Sequence, residues 1–158
     1  MHDRQLIATG SFSELYVTGH SLGAALAVLS APQLAAETSL VPTVYTFAGP
    51  RVGDPVFALA YADRVPVTWR VVNTNDIVPT LPPTVAVVDE NGDEKIFFYE
   101  HVDSEDAITF GTPIRSPSDI VEDHSLCNYY DTLCAETSDP SACEALAMGA
   151  DGCNPPSS

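Results

Sequence analysis

The sequence predicts an α/β protein in which a mainly parallel β-sheet is flanked by helices. Three short apolar segments rich in β-branched and aromatic residues alternate with two alanine-rich segments. Strands that alternate with helices in this way favour parallel β-α-β units. The 158 residues suit one domain with a buried core, and 45% of them are hydrophobic, which is ordinary for a globular protein.

The first elements lie between residues 15 and 48. Residues 15–18 (LYVT) predict a short buried strand, and a tight turn with two glycines follows at 19–23. Residues 24–37 are dense in alanine and leucine and predict a helix. Pro32 lies in the middle of this helix, so we expect a kink or an early end there. Residues 43–48 (TVYTFA) predict a second buried strand.

The remaining elements follow from local composition: a loop at 49–55, a helix at 56–64, a strand at 67–73 and a proline-rich loop at 75–83. Asn91-Gly92 lies between apolar segments at 85–88 and 95–99, which predicts a β-hairpin. We expect mostly loop over 102–118 and one helix over 120–135.

We divide the chain into an α/β part, residues 1–135, and a cysteine-containing tail, residues 136–158. The cysteines fall in the last third, at Cys127, Cys134, Cys143 and Cys153. They form no C-x-x-C pair, so we expect no metal site. Two disulfides in an oxidising compartment are expected, and three pairings are open. Four free thiols in a cytosolic protein are the alternative.

The charge is strongly acidic, with 22 acidic residues against six basic ones and a formal net charge of −16. This balance repels nucleic acid and anionic membrane surfaces, so we expect neither as a partner. The longest apolar stretch, at 24–36, is too short and interrupted to span a membrane. No signal-peptide pattern follows Met1. The composition suits a secreted protein whose signal is absent from this chain, or a salt-adapted protein.

The segment GHSLG at residues 19–23 suggests a serine nucleophile, Ser21. A strand, a Gly-x-Ser-x-Gly turn and a helix that begins with small alanines form the layout of a nucleophile elbow. The turn exposes the hydroxyl, and the flanking glycines avoid side chains that would clash. The helix N-terminus directs free N–H groups at an oxyanion.

A serine nucleophile needs a base and an orienting acid, which in this layout follow it in the order acid, then histidine. Asp76 lies where a predicted strand becomes a loop, the place where α/β enzymes carry catalytic residues. A turn-capping role for Asp76 is the alternative. Of the two histidines that follow the serine, His124 precedes an apolar helix. His101 lies between acidic residues, so a surface role suits it better, and we favour His124 as the base.

Four separated segments resemble the class 3, or fungal-type, triacylglycerol lipases of the α/β-hydrolase fold. They are LYVTGHSLGAALA, TFAGPRVGDPVFA, RVVNTNDIVPTLPP and DHSLCNYY, the last with an aromatic residue shortly after its histidine. Asp54 stands where the family typically has Asn. The resemblance runs from about Leu15 to Tyr130 and implies a partial α/β-hydrolase fold. It also implies a catalytic triad of Ser21, Asp76 and His124, an ester or lipid substrate and no cofactor.

The resemblance also implies an incomplete chain, because family members are usually far longer ahead of the elbow. Leu22 N–H remains as one oxyanion donor, and the segment that supplies the second in the family is absent. The strand at 15–18 lacks its usual neighbour, which leaves an apolar edge. We therefore expect a C-terminal fragment, one piece of a two-chain protein, or a short form that covers this edge as a homodimer.

Several functional alternatives stay open. Feruloyl esterases and phospholipases share the scaffold, and a weakly active fragment that assembles with a missing N-terminal segment is a further alternative. Without a family-type lid, short soluble esters are expected to be better substrates than long triacylglycerols. Arg51 is expected to be structural, paired with a buried carboxylate such as Asp54 or Asp76.

Overall fold

The protein is described by a computed structural model, in which residues 12–38, 40–139, 141 and 143 are placed. Four parallel strands form one sheet in the order β1, β2, β3, β6. These are β1 (Tyr16–His20), β2 (Thr43–Phe47), β3 (Val67–Asn73) and β6 (Glu105–Ile108). The helices are α1 (Leu22–Thr38), α2 (Pro55–Arg64), α3 (Pro117–Asp123) and α4 (Leu126–Glu136). The mainly parallel sheet flanked by helices is confirmed.

The two faces of the sheet pack against different helices, because side chains alternate between faces along each strand. On one face, α1 and α2 enclose a core of Val28, Ala31, Val44, Tyr61, Val65 and Val102. On the other face, Tyr129 of α4 packs on Val71 and Ile108. This second cluster lies at the carboxyl ends of the strands.

Part of the second face is not covered by the described residues. Tyr16, Tyr45 and Trp69 project from neighbouring strands on this face and are 61%, 38% and 50% exposed. β1 forms an edge of the sheet within the described part of the chain. Beside it lies an open groove of about 540 Å³ that Val17, Gly23 and Leu26 help to line. The apolar edge expected from the sequence is therefore present in the described residues.

Helix α1 continues through Pro32 to Thr38, so the early end expected at Pro32 is wrong, because the buried face of the helix offsets one lost backbone hydrogen bond. The kink expected there stays a prediction. Residues 102–118 are mostly loop, as predicted, but strand β6 was missed, because it forms only by parallel pairing with β3. The single helix predicted at 120–135 is two helices, α3 and α4, which are separated by His124 and Ser125.

The predicted hairpin is confirmed, with β4 (Val85–Glu90) paired to β5 (Asp93–Phe98). Asn91 and Gly92 both have positive φ angles, 60° and 90°, as a tight two-residue turn requires.

The cysteines of the described residues are oxidised. A disulfide joins Cys134 to Cys143, and Cys127 is also disulfide-bonded. Cys153, most of the predicted tail at 136–158 and the stretch after Met1 lie outside the described residues. The boundary at residue 135 stays a prediction. Among the placed residues, no helix is long and apolar enough to cross a membrane.

Candidate active site

Ser21 lies at the junction of β1 and α1 with a left-handed backbone, φ 57°. Its N–H donates to the carbonyl of Phe47 on β2 at 3.0 Å, and its own carbonyl accepts from Ala24 and Ala25 in the first turn of α1. These bonds hold the serine in a backbone conformation that residues other than glycine rarely adopt. Backbone strain of this kind concentrates at functional sites. The turn therefore has the geometry predicted for a nucleophile elbow.

The two glycines of the turn have different roles. A Cβ on Gly19 would lie 2.2 Å from the carbonyl oxygen of Gly23, so only glycine fits there. A Cβ on Gly23 would meet no heavy atom within 4 Å. The expectation that both glycines avoid a clash therefore holds at Gly19 and is wrong at Gly23 in the described structure.

Ser21, His124 and Asp76 are joined in a continuous series of hydrogen bonds. His124 Nε2 lies 2.7 Å from Ser21 Oγ, and His124 Nδ1 lies 2.8 Å from Asp76 Oδ2. The side chain of His124 is 21% exposed and that of Asp76 is fully buried. With Nδ1–H donating to the carboxylate, Nε2 has a free lone pair directed at the serine hydroxyl.

The carboxylate of Asp76 is fixed by two further donors. Val78 N–H donates to Oδ1 at 2.9 Å, and the Tyr129 hydroxyl donates to Oδ2 at 3.0 Å. Asp76 therefore also makes the turn-capping contact that is its alternative role. Tyr129 in turn accepts from the Asn73 N–H at 2.7 Å. Burial, and secondly the charge of Asp76, raise the pKa of Tyr129, so the phenol keeps its proton and acts as a donor.

The backbone around His124 is held from both sides. The His124 carbonyl accepts from Nε2–H of His20 at 2.9 Å, and the two imidazole rings lie 4.7 Å apart. Burial, followed by the neighbouring His124, lowers the pKa of His20, so this ring stays neutral and serves as a donor. On the other side, Asn73 Nδ2 donates to the Asp123 carbonyl at 3.0 Å.

Sequence reasoning missed the contributions of Asn73 and Tyr129. Asn73 is fully buried at the carboxyl end of β3, and Oδ1 of its side chain accepts from the N–H groups of Asn75 and Phe110. A polar residue that ends an apolar strand directly before the predicted acid was a usable signal. For Tyr129, the sequence offered only an aromatic residue a few positions after the histidine.

His101 is not part of the hydrogen-bond series that joins Ser21, His124 and Asp76. Its Nε2–H donates to the Pro79 carbonyl at 2.8 Å, and the ring is partly buried, so the expected surface role is wrong. Burial, and then the charges of Arg70 and Arg51, lower the pKa of His101 to about 4. Arg51 has a structural role, but its guanidinium donates to the carbonyls of Thr80 and Pro82 and does not pair with a carboxylate of the described residues.

The expected oxyanion donor, Leu22 N–H, is the first amide of α1, a position without an intrahelical acceptor. The positive end of the helix dipole lies at the same place. Within the described ranges, no group of three or more histidine, cysteine or carboxylate side chains is placed to hold a metal ion.

The family model and the similar proteins all point to lipases. The model of the class 3 lipases matches residues 3–86, just over half of the chain. A lipase of Caenorhabditis elegans, ZK262.3, is 48% identical over 75 residues, covering 46% of this chain and 21% of that protein. The secreted mono- and diacylglycerol lipase A of Penicillium cyclopium is 39% identical over 79 residues, covering 50% of this chain and 26% of that protein.

The fold agrees with that family. The crystal structure of an N225Q mutant of MDLA from Penicillium cyclopium superposes with a TM-score of 0.54 at 32% identity. The superposition covers 73% of this chain and 39% of the other. The chain thus matches well under half the length of these relatives, and the shared part is an α/β-hydrolase fold. The chain belongs to the class 3 lipase family.

Proposed function

We propose that the protein is a serine hydrolase that cleaves carboxylic esters of fatty acids, with Ser21 as nucleophile, His124 as base and Asp76 as orienting acid. The observation that carries this proposal is the unbroken hydrogen-bond series from Ser21 Oγ through His124 to Asp76, at 2.7 and 2.8 Å. Membership of the class 3 lipases supports the substrate class.

In the first half of the reaction, Ser21 Oγ attacks the ester carbonyl carbon while His124 Nε2 takes the hydroxyl proton. Asp76 holds the imidazole with Nδ1 protonated and stabilises the imidazolium that forms. The carbonyl electron pair moves to oxygen, and Leu22 N–H with the N-terminus of α1 stabilises that oxyanion. Collapse of the intermediate expels the alcohol, which takes the proton from His124.

In the second half, a water molecule gives a proton to His124 and attacks the acyl-serine. The acid then leaves, and the proton returns to Ser21. Each half is neutral overall, and the only groups of the chain that move protons are Ser21 and His124. Asp76 takes no part in the proton transfers, and Tyr129 and Val78 donate to its carboxylate.

The substrate proposed first is a fatty-acid ester of the kind named for the Penicillium cyclopium relative, a mono- or diacylglycerol. Phospholipid and feruloyl esters are the alternatives on the same scaffold. Secretion is proposed as well, since that relative is described as secreted and the cysteines of the described residues are disulfide-bonded.

The exposed edge of β1 supports a further part of the proposal, that another strand completes the sheet. The edge strand β1 and the adjoining groove are open among the described residues, and the rings of Tyr16 and Trp69 are exposed on the sheet face opposite to Val17. A preceding segment or a second copy of this chain would cover the edge. Size-exclusion chromatography with light scattering tests this. A stable monomer with no gain in activity on adding a candidate segment would refute it.

Fluorophosphonate labelling tests the nucleophile, because the reagent reacts only with an activated serine. Labelling confined to Ser21 by peptide mapping, and absent in Ser21→Ala, is the expected result. A folded chain that stays unlabelled, or that is labelled elsewhere, would refute the proposed role. Rates on butyrate and palmitate esters then define the acyl preference, with the short ester expected to react faster.

A further inference from the structure

Asp123 is a buried carboxyl group that the proposed mechanism does not use. The residue is 1% exposed, and neither carboxyl oxygen has a hydrogen-bond partner among the described residues. The nearby buried carboxylate of Asp76 accepts from three donors. An ionised carboxyl group that is buried without donors is unfavourable, so the two acids have opposite electrostatic requirements.

The packing around Asp123 leaves little room for a new donor. Its Oδ1 lies 1.8 Å from the position that a Cβ on Gly111 would occupy, so the carboxyl group rests directly on the glycine backbone. Gly111 also has a φ of 71°, a backbone conformation that residues with a side chain rarely adopt. Both the close contact and the backbone angle therefore require glycine at this position. The backbone N–H of Thr112 opposes the rise in the pKa of Asp123, but it does not meet the distance and angle of a hydrogen bond to either carboxyl oxygen.

The charged groups that act on Asp123 are acids. Asp119 and Glu122 belong to its own helix, α3, and Asp76 faces it from the loop after β3. The phenol of Tyr129 on α4 also feels its charge, and this phenol is protonated. Burial is the largest cause and Asp119 the second, and together they raise the pKa of Asp123 above its ordinary value.

Asp123 also occupies the position directly before His124. The Asp123 carbonyl is tied to Asn73 Nδ2, and the His124 amide closes α3 by donating to the Ile120 carbonyl at 3.2 Å. His124 and Ser125 connect α3 to α4, and Asn128 Nδ2 of α4 also donates to the Glu122 carbonyl of α3 at 2.8 Å. A change in the packing of Asp123 is therefore transmitted to the imidazole through one peptide bond.

We propose that Asp123 is a positioning residue for His124, which keeps the α3–α4 junction packed when its carboxyl group is neutral and loosens it when the carboxyl group ionises. This inference rests on the proposed function for its catalytic consequence. The proton released on ionisation goes to solvent, and no covalent step is involved.

The sign of the pH effect follows from linkage. Because the pKa of Asp123 is raised in the folded state, the fold favours the protonated form. This contribution to the free energy of unfolding is complete below the ordinary aspartate pKa and is lost as the pH rises through the folded-state pKa. Asp123→Asn keeps the shape without the charge, so it is expected to stabilise the chain at neutral pH and to have no effect in acid.

NMR spectroscopy of the whole chain tests the inference without relying on catalysis. We would follow the carboxyl ¹³C signal of Asp123 and the Nδ1–H proton of His124, assigned by its loss in His124→Asn. The Asp123 signal is expected to titrate above the aspartate range, and the His124 proton to broaden over the same interval. In Asp123→Asn, the His124 proton is expected to persist to higher pH.

Glu122→Gln is the matched control, because Glu122 is exposed on the same helix and its substitution removes the same charge. Because Glu122 has the weakest effect of the charged groups that act on Asp123, its substitution is expected to shift the Asp123 titration only slightly and to leave the pH dependence of the His124 proton close to that of the parent chain. The pKa of Asp123 can be measured in the parent chain without any variant. A value in the ordinary aspartate range would overturn the inference. So would a His124 signal whose pH dependence is the same in Asp123→Asn, or is changed equally by Glu122→Gln.

Fluorophosphonate labelling rates, measured across the same pH range, connect the junction to reactivity. The parent chain is expected to lose reactivity on the alkaline side before Asp123→Asn does. Absence of labelling in every variant would count against the proposed hydrolase, whereas the NMR titration would still decide the role of Asp123.

Discussion

Replacing Gly19 with alanine tests whether close packing of the turn positions Ser21. The added Cβ would lie 2.2 Å from the Gly23 carbonyl oxygen and 2.7 Å from the Ala24 nitrogen. Both are backbone atoms of the first turn of α1, so the clash cannot be relieved by a side-chain rotation. Overpacking of this kind costs about 1–3 kcal/mol of stability. It also displaces Ser21 relative to His124, and a shift of about 1 Å typically lowers rates about 10²-fold.

Gly23→Ala is the matched control, since a Cβ there meets no heavy atom within 4 Å and alanine favours the helix by up to about 1 kcal/mol. Urea unfolding gives the stability, and fluorophosphonate labelling gives the reactivity of Ser21. Gly19→Ala is expected to lose both and Gly23→Ala to lose neither. Equal stability and equal labelling for the two variants would refute the packing explanation of the turn.

Three further predictions concern the groups around the proposed acid and a second histidine. Tyr129→Phe removes a hydrogen bond to Asp76 and leaves the buried Asn73 N–H without its acceptor, so the free energy of unfolding should fall by about 2–5 kcal/mol. Tyr45→Phe, at an exposed tyrosine, should change it by less than about 0.5 kcal/mol, and equal losses in the two variants would contradict the assigned bonds. Asp76→Asn should leave the chain folded by circular dichroism but slow labelling by about 10⁴-fold, as loss of the orienting acid does in serine proteases; a rate within tenfold of the parent would argue against Asp76 as that acid. His101 has its pKa lowered from 6.5 to about 4, so its contribution to stability is present above the first value and lost as the pH falls toward the second. In His101→Gln, the thermal unfolding temperature should change less with pH across this interval than it does in the parent chain. The same pH dependence in both chains would refute the role assigned to the burial of His101.

The proposed site residues were accessible from the sequence because each lies at a marked transition. Ser21 is framed by glycines between a strand and a helix, and Asp76 follows the end of an apolar strand. Because the base follows the serine in the chain, only His101 and His124 remained as candidates for it. Their surroundings favoured His124. Local chemistry was sufficient here, because an exposed nucleophile requires a particular turn and that turn requires particular residues.

Other features depended on contacts between distant parts of the chain. The four residues of β6 are half acidic and have no apolar alternation, so only pairing with β3 makes them a strand. The partners of Arg51 were wrong because carbonyls turned toward it by the loop at 80–82 satisfy its guanidinium. A one-dimensional pattern contains no information on which carbonyls converge in space.

The sequence by itself determined the α/β class, the three parallel strands that alternate with two helices, the hairpin and the residues proposed for catalysis. These features are governed by periodicity and turn chemistry, which act over a few residues. Only the tertiary structure decided that Tyr129 and Val78 fix Asp76, that His124 lies at a break between two helices, and that Asp123 is buried without a partner. Hydrogen-bond satisfaction and burial are properties of the packed chain, because both depend on groups that are far apart in sequence.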